Sequence, residues 1–175
     1  MNIIGEKVVL RAIEKKDNDG LLKLINDPQV EKMLGGNSFP VSEFSQNKWY
    51  ESVNSSQNVL RCVIADKTDE DKFIGTVILS DIDYRNGSAQ IHIKILPGKF
   101  RGCGYGSDSV KTLVKYAFEE MRLNCVYADI LVYNEPSKNM FLKCGFKLDG
   151  VLRGRVYKSG RFIDVNSYSI LKDEF

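Results

Sequence analysis

The chain has 175 residues, and its 25 basic and 23 acidic side chains leave a formal net charge of +2. Acids and bases are interspersed without a basic patch, which argues against nucleic-acid binding. A chain of this length is expected to form one domain, residues 1–175, that buries roughly 70% of its unfolded surface. No apolar run approaches the ~20 residues that cross a bilayer, and the first residues do not resemble a signal segment. We therefore expect a cytoplasmic protein with no membrane partner.

The four cysteines, Cys62, Cys103, Cys125 and Cys144, lie far apart, and the chain has one histidine. This spacing argues against zinc, so we expect no metal, and in the cytoplasm the thiols would be reduced. Cys103 precedes a predicted helix, where the pKa of a thiol falls. No base lies near Cys103 in the sequence, which favours a small loop residue over a nucleophile.

The first half of the chain alternates apolar strands with helical stretches and contains no repeat or linker. The expected elements are a strand at 8–12, a helix capped by Asp17 with Leu24 and Ile25 inward, a short helix from Pro28, a helix from Ser42 to near Ser55 and Ser56, and strands at 59–65, 73–79 and 89–96. Asn86-Gly87 indicates a two-residue hairpin between the last two strands, and Ser159-Gly160 indicates another near the end of the chain.

A glycine-rich turn separates the 89–96 strand from an amphipathic helix. It reads Arg101-Gly102-Cys103-Gly104-Tyr105-Gly106-Ser107. A strand that ends here and restarts as a helix leaves backbone N–H groups pointing outward at the positive end of the helix dipole. We therefore expect an anion site, most often one for phosphate or pyrophosphate. The helix predicts a buried stripe of Val110, Leu113, Val114, Ala117, Phe118 and Met121.

Two common phosphate-binding motifs do not fit this turn. A Walker loop would continue from its last glycine with Lys-Ser or Lys-Thr, whereas Ser107 and Asp108 follow Gly106. A dinucleotide fingerprint would have a third glycine at position 107 and would lie near the start of a βαβ unit. A nucleoside-triphosphate hydrolase and a dinucleotide-binding domain are therefore both disfavoured.

The spacing Arg-x-x-Gly-x-Gly, with Arg101, Gly104 and Gly106 at the fixed positions, resembles the GNAT superfamily of acyl-CoA-dependent N-acetyltransferases. A second segment, 134–146, follows the predicted strand 126–132 and is similar to the family's Asn-x-x-Ser signature, whose short helix ends in Lys-x-Gly-Phe. Segment 150–164 is similar to the closing hairpin of the Rim-type branch of ribosomal-protein acetyltransferases. Residues 9–13 and 26–30 also match that branch, so the resemblance covers nearly the whole chain.

The resemblance implies an α+β GNAT fold with a mixed, splayed central sheet of six to seven strands and helices on both faces. It implies acetyl-CoA as cosubstrate, without a metal, held by the loop amides and by Asn134 on the pantetheine arm. The residues expected at this cosubstrate are Ile95, Arg101, Gly102, Cys103, Gly104, Tyr105, Gly106, Ser107, Asn134 and Phe141.

The catalytic positions depart from the family pattern. Gln90 stands where many relatives carry a glutamate base, and His92 lies two residues further along the same strand face. His92 is interpreted either as the replacement base or as a neutral histidine that orients substrate or water. Phe141 replaces a tyrosine that many relatives use for the leaving thiolate. Ser137 then becomes the candidate donor to that thiolate, with an N-cap role as the alternative.

The sequence thus predicts direct transfer of an acetyl group from acetyl-CoA to a primary amine. A protein α-amine, a polyamine, an amino sugar and an aminoglycoside all remain open as acceptors, and a homodimer is allowed. Gln90 and Phe141 support a rival hypothesis, a catalytically silent acyl-CoA binding or sensing module. A nucleotide-binding regulatory domain is a third hypothesis, which would require ATP or NAD to compete with coenzyme A.

Overall fold

Eight strands form one mixed sheet in the computed structural model, which describes residues 1–35, 39–53 and 57–175. The strands are β1 (Ile3–Ile4), β2 (Val8–Arg11), β3 (Leu60–Asp66), β4 (Asp69–Asp83), β5 (Ser88–Ile95), β6 (Cys125–Leu131), β7 (Lys147–Lys158) and β8 (Arg161–Leu171). The sheet has one strand more than the six to seven expected. The additional strand is the two-residue β1, which pairs with β2 at the sheet edge.

The helices of the described residues are α1 (Asn18–Asn26), α2 (Pro28–Lys32), α3 (Glu43–Ser52), α4 (Tyr105–Glu119) and α5 (Glu135–Lys143), with 3-10 turns at Lys15–Asp17 and Lys172–Glu174. None of these helices is long and apolar enough to span a membrane. The third helix begins at its predicted cap, because Ser42 Oγ accepts the N–H of Ser45. It ends at Ser52, and Ser55 and Ser56, where its end was expected, lie outside the described residues.

The strand order is β1-β2-β3-β4-β5-β6-β8-β7, and the β5–β6 pair is the parallel one. Helix α4 provides the crossover between those two strands, as a parallel connection requires. The pairing of β5 with β6 covers only Ser88–Gln90 opposite Cys125–Tyr127. The two strands are therefore joined at one end and separate at the other.

Helices cover both faces of the sheet, as expected. The predicted stripe of α4 is confirmed from Val110 to Phe118, and Met121 lies beyond the helix end and is half-buried. On β3, Cys62 and Ile64 pack into the same core as α4, whereas Val63 between them packs with Leu21 of α1 on the other face. The alternation of side chains along a strand thus divides the apolar residues between two cores.

The two local predictions for α1 are confirmed in part, because Asp17 is its N-cap residue and Leu24 is buried. The carboxylate of Asp17 makes no capping bond to this helix, because both of its oxygens accept from the buried Arg11 guanidinium at 2.8 Å. The inward pair is Leu21 and Leu24, and Ile25 is half-buried. An ion pair that connects β2 to the start of the helix thus replaces the predicted capping bond.

The two predicted hairpins differ in outcome. The Ser159-Gly160 turn has two residues, both with positive φ, between Lys158 and Arg161 as predicted. The Asn86-Gly87 turn is four residues long, because β4 ends at Asp83 and β5 begins at Ser88. Asp83 Oδ1 accepts the N–H groups of Arg85 and Asn86, each at 2.9 Å, which stabilises the longer turn.

Candidate active site

The candidate site lies where β5 and β6 separate. Beyond Gln90 and Tyr127 the strands no longer pair, so the facing edge of β5 keeps backbone N–H and C=O groups available to another partner. A cavity of about 610 Å³ opens here. Its walls are the end of β5, the glycine-rich loop, α5, and the segment that includes α2 and the residues after it. The cavity therefore brings together both segments that carry the family resemblance.

The glycine-rich loop presents a run of unpaired backbone donors. Within the described residues, the six backbone N–H groups of 102–107 have no hydrogen-bond partner. Three of them, at 105–107, belong to the first turn of α4. Gly102 and Gly104 have φ of +77° and +87°, a left-handed conformation that glycine adopts without steric cost. This conformation of the loop brings the amides together ahead of the helix. Together with the dipole of α4, these donors form an anion site.

Residues 6–8, at the connection between β1 and β2, hold this loop and the start of α4 from outside the cavity. The carboxylate of Asp108 accepts the N–H groups of Glu6, Lys7 and Val8 at 2.8–3.2 Å. Lys7 Nζ donates to the carbonyl of Cys103 at 3.0 Å. The Lys7 ammonium thus adds positive charge beside the amides, on the side away from the cavity.

Tyr105, the first residue of α4, fixes the start of the helix to the sheet. Its hydroxyl donates to Asp66 Oδ2 at 2.8 Å, and Lys72 Nζ donates to the same oxygen at 2.9 Å. Thr68 donates to the other oxygen of this carboxylate. Hydrogen bonds from Lys72, and then from Thr68 and Tyr105, hold the pKa of Asp66 far below its ordinary value.

Helix α5 forms the second wall and contains two of the predicted residues. Asn134 is its N-cap: its Oδ1 accepts the N–H of Ser137 at 3.2 Å, and its Nδ2 donates to the carbonyl of Met33 at 2.9 Å. The amide expected to hold a pantetheine arm is thus engaged on both sides within the protein. The N-cap alternative for Ser137 is wrong because Asn134 takes that role, and Ser137 Oγ has no partner among the described residues.

Segment 30–34 forms the opposite wall, through Val30, Met33 and Leu34. Helix α2 is short, so its last carbonyls lack partners within the helix. Three side chains from the second half of the chain supply donors. Lys158 Nζ donates to the carbonyls of Glu31 and Leu34 and pairs with Glu31 Oε1 at 2.7 Å. Tyr133 Oη donates to the carbonyl of Lys32 at 2.7 Å, and Asn134 binds Met33.

His92 lies on β5 with Gln90 on the same strand face, next to the point where the strands separate. Its Nε2 is 2.8 Å from Ser80 Oγ, which also donates to Asp81 Oδ2 at 3.1 Å. Desolvation by the surrounding sheet lowers the pKa of His92 from its ordinary 6.5. Asp81 and Asp129 oppose this shift, and Lys94 adds to it. The ring is therefore neutral at physiological pH and has one nitrogen lone pair.

The structure brings most of the predicted residues to one cavity. Those lining it are Ile95, Arg101, Gly102, Gly104, Gly106, Ser107, Asn134 and Ser137. Cys103 and Tyr105 belong to the loop but do not line the cavity, and His92 and Gln90 lie beside it. Phe141 also stays outside it: the ring is 2% exposed and packs edge-on against Phe146. The expected contact of Phe141 with the cosubstrate is thus corrected to a core position, because its helix turns that side chain inward.

Ten of the lining residues were not predicted as site residues from the sequence: Val30, Met33, Leu34, Ile93, Lys94, Phe100, Pro136, Asn139, Met140 and Lys143. The missed residues between 134 and 146 lie within the second resemblance segment, and Ile93 and Lys94 adjoin Ile95, so these had a signal. Nothing in the sequence brought Val30, Met33 and Leu34 to the site, because only tertiary packing places residue 33 beside residue 134.

The cysteines and the acidic residues show no metal-binding arrangement in the described ranges. All four cysteines are free thiols. Across residues 1–35, 39–53 and 57–175, no group of three or more His, Cys, Asp or Glu side chains is placed to hold a metal ion. Cys103 is exposed, and its Sγ lies 3.2 Å from the carbonyl of Lys99.

Comparison with known proteins gives consistent matches. A family profile described as an acetyltransferase (GNAT) domain matches residues 7–147. Uncharacterized N-acetyltransferase p20 of Bacillus licheniformis is 32% identical over 97% of this chain and 96% of its own. Putative ribosomal N-acetyltransferase YdaF of Bacillus subtilis is 29% identical over 98% and 95%.

Among solved structures, spermidine N-acetyltransferase from Vibrio cholerae, in complex with CoA and spermine, superposes with a TM-score of 0.86. The two chains are 24% identical, and the match covers 96% of this chain and 97% of the other. This likeness extends the agreement from sequence to fold, because it covers nearly all of both chains. The chain belongs to the GNAT acetyltransferase family and is an N-acetyltransferase that uses acetyl-CoA.

Proposed function

We propose that the cavity between the separating strands binds acetyl-CoA and that the enzyme acetylates a small-molecule primary amine brought to the face of His92. The observation that carries this proposal is the separation of β5 from β6 beyond Gln90, which opens the 610 Å³ cavity beside the unpaired amides of 102–107. We take residues 1–175 as one catalytic domain, because strands from both ends of the chain belong to one continuous eight-stranded sheet.

The residues present fit this cosubstrate. The unpaired amides and the dipole of α4 suit a diphosphate, and Arg101 and Lys143 add positive charge to the same cavity. The free edge of β5, from Ile93 to Ile95, offers backbone groups to an extended amide-bearing arm. Asn134 supports this arm indirectly, by fixing the N-terminus of α5 and the carbonyl of Met33.

Bound acetyl-CoA supplies an activated thioester carbonyl, and the protein has to remove a proton from the amine and stabilise the departing thiolate. His92 is the proposed base. His92 lies beside the cavity and does not line it, so we propose that the amine proton reaches His92 through a water molecule. The hydroxyl of Ser137 lines the cavity and is free to donate to the sulfur. Gln90 cannot accept a proton and is assigned the orientation of that water or of the amine.

The acceptor and the branch of the family are finer assignments. The name of the Bacillus subtilis relative supports the Rim-type branch, and that of the Vibrio cholerae enzyme supports a free small-molecule amine. A cytoplasmic location is consistent with four free thiols. A homodimer stays a prediction that a measurement of mass in solution would test.

The decisive experiment incubates the protein with acetyl-CoA and a panel of amines and measures release of coenzyme A together with the mass of the product. The panel contains spermidine, glucosamine, an amino acid, a short peptide and an aminoglycoside. Amine-dependent release with a product heavier by one acetyl group supports the proposal. Tight binding of acetyl-CoA without amine-stimulated release would support the silent binding module instead.

A further inference from the structure

Lys94 is a positively charged side chain inside the cavity that the proposed reaction does not use. It lies on β5 between Ile93 and Ile95, whose side chains point toward α4 and come within 3.9 Å of the Cβ position at Gly106. Alternation along the strand sends Lys94 to the opposite face, which it shares with His92. That face is the one assigned to the amine, whereas Ile93 and Ile95 face α4, the helix that the loop amides precede.

The cavity contains no balancing negative charge for Lys94. Among the described residues that line it, the charged side chains are Lys94, Arg101 and Lys143, all of them cationic. Glu31, on the α2 segment, is paired with Lys158.

Lys94 itself has no counter-charge in the structure. In the ranges 1–35, 39–53 and 57–175 its Nζ has neither an ion-pair nor a hydrogen-bond partner, although the residue is partly buried. Burial alone accounts for the lowering of its pKa, and no acid counteracts it. Removing an ammonium from water without a partner costs free energy, so a partner that arrives with the ligand would be favoured.

We propose that the acceptor is an amine that also carries an anionic group, a carboxylate or a phosphate, and that Lys94 binds this group. The inference rests on the proposed function and specifies its substrate class. An amino acid or a phosphorylated amino sugar fits this description. A polyamine fits less well, because its further positive charges would lie beside the ammonium of Lys94, which has no counter-charge in the cavity lining.

The test compares matched acceptor pairs that differ in one negative charge. One pair is phenylalanine and phenylalaninamide, and the other is glucosamine 6-phosphate and glucosamine; spermidine is the polycationic reference. We expect kcat/KM to be roughly 10- to 100-fold higher for the anionic member of at least one pair, the range for a charged hydrogen bond. The pair that shows the preference distinguishes carboxylate from phosphate.

Variants assign the preference to Lys94. Lys94→Met should abolish it by raising the KM of the anionic acceptor, while the affinity for acetyl-CoA changes less than about 2-fold. Lys94→Arg should retain most of it, because a guanidinium also binds carboxylate and phosphate. Lys23→Met, which removes an exposed lysine of α1, controls for the change in net charge.

The outcomes separate this inference from the proposed function. Amine-dependent release that favours spermidine or the neutral members retains the acetyltransferase proposal and overturns the role of Lys94. A loss of acetyl-CoA affinity in Lys94→Met with an unchanged pair preference overturns it as well. If no amine stimulates the release of coenzyme A, the proposed function fails. Calorimetry then measures the affinity of the same acceptor pairs for the complex of the protein with coenzyme A, and this affinity decides the inference. Equal binding of both members, or none, overturns it.

Discussion

Ser80 and His92 form a hydrogen bond across β4 and β5, with Oγ 2.8 Å from Nε2. The single hydroxyl proton of Ser80 is directed at Asp81 Oδ2, 3.1 Å away. In that arrangement we assign the donor role in the Ser80 contact to Nε2 of His92, which leaves the lone pair on Nδ1. The pair therefore selects one tautomer of the proposed base and couples it to a carboxylate.

Replacing His92 with glutamine should slow turnover by roughly 10²- to 10⁴-fold. In the wild type, kcat/KM should rise with pH through a single titration whose midpoint lies below 6.5, since the pKa of His92 is lowered and its neutral form is the base. The variant should lack this limb. A His92→Gln enzyme with an unchanged pH profile would mean that another group removes the proton.

Ser80→Ala tests the tautomer. It should reduce kcat by about 10-fold, the effect of one lost hydrogen bond of about 1.5 kcal/mol, and leave the KM for acetyl-CoA unchanged. Ser80→Thr keeps the hydroxyl and should retain most of the activity. Equal rates for the alanine and threonine variants would exclude the hydroxyl from catalysis.

Features set by local sequence patterns could be predicted, whereas features set by side-chain contacts could not. Strand alternation and helix periodicity correctly predicted the stripe of α4 and placed Gln90 and His92 on one face, because these patterns are local. The carboxylate of Asp17 was mistaken for a capping group because helix-start patterns do not show that Arg11, six residues earlier on β2, pairs with it. The wall at Val30–Leu34 could not be predicted, since it depends on donors more than 100 positions away.

Arg101→Ala should weaken acetyl-CoA binding by about 1.5–3 kcal/mol, the range for a charged hydrogen bond to phosphate. The KM of the amine should barely change, because Arg101 lies at the loop and away from the face of His92. Calorimetry with coenzyme A measures the loss, and Arg85→Ala, on the exposed hairpin turn, is the control. A defect confined to the amine would contradict the assignment.

Tyr105→Phe removes the hydroxyl that fixes the start of α4 to Asp66. The KM for acetyl-CoA should rise several-fold while the fold is retained, because Lys72 and Thr68 still satisfy the carboxylate. Tyr116→Phe is the matched control, because Tyr116 lies on the same helix and its hydroxyl has no hydrogen-bond partner in the part of the chain that the structure describes. Equal behaviour of the two variants would remove Tyr105 from the support of the loop.

Asp66 also predicts how stability depends on acid. Its pKa in the folded protein is lowered from an ordinary 3.8, so its ionised form stabilises the fold above that value. This contribution should be lost as pH falls below 3.8 toward the folded pKa. Thermal unfolding of wild type and Asp66→Asn should therefore differ most near pH 7 and converge in strong acid. A constant difference across this range would exclude the linkage.

Lys158 holds the 30–34 wall of the cavity from the β7–β8 hairpin, and this wall follows α1, which packs on the same sheet face as Lys94 and His92. Its ammonium satisfies two carbonyls at the end of α2 and pairs with Glu31 Oε1 at 2.7 Å, with only 10% of its side chain exposed. Lys158→Met leaves these acceptors without a donor, and loss of a buried partner costs about 3–5 kcal/mol, less here because Glu31 is partly exposed. We expect a lower melting temperature and a raised KM for the amine, with acetyl-CoA affinity retained. Lys158→Arg should restore part of both, whereas Lys147→Met, at the other end of β7, should change neither. A variant that loses stability but keeps the wild-type KM for the amine would limit Lys158 to a structural role.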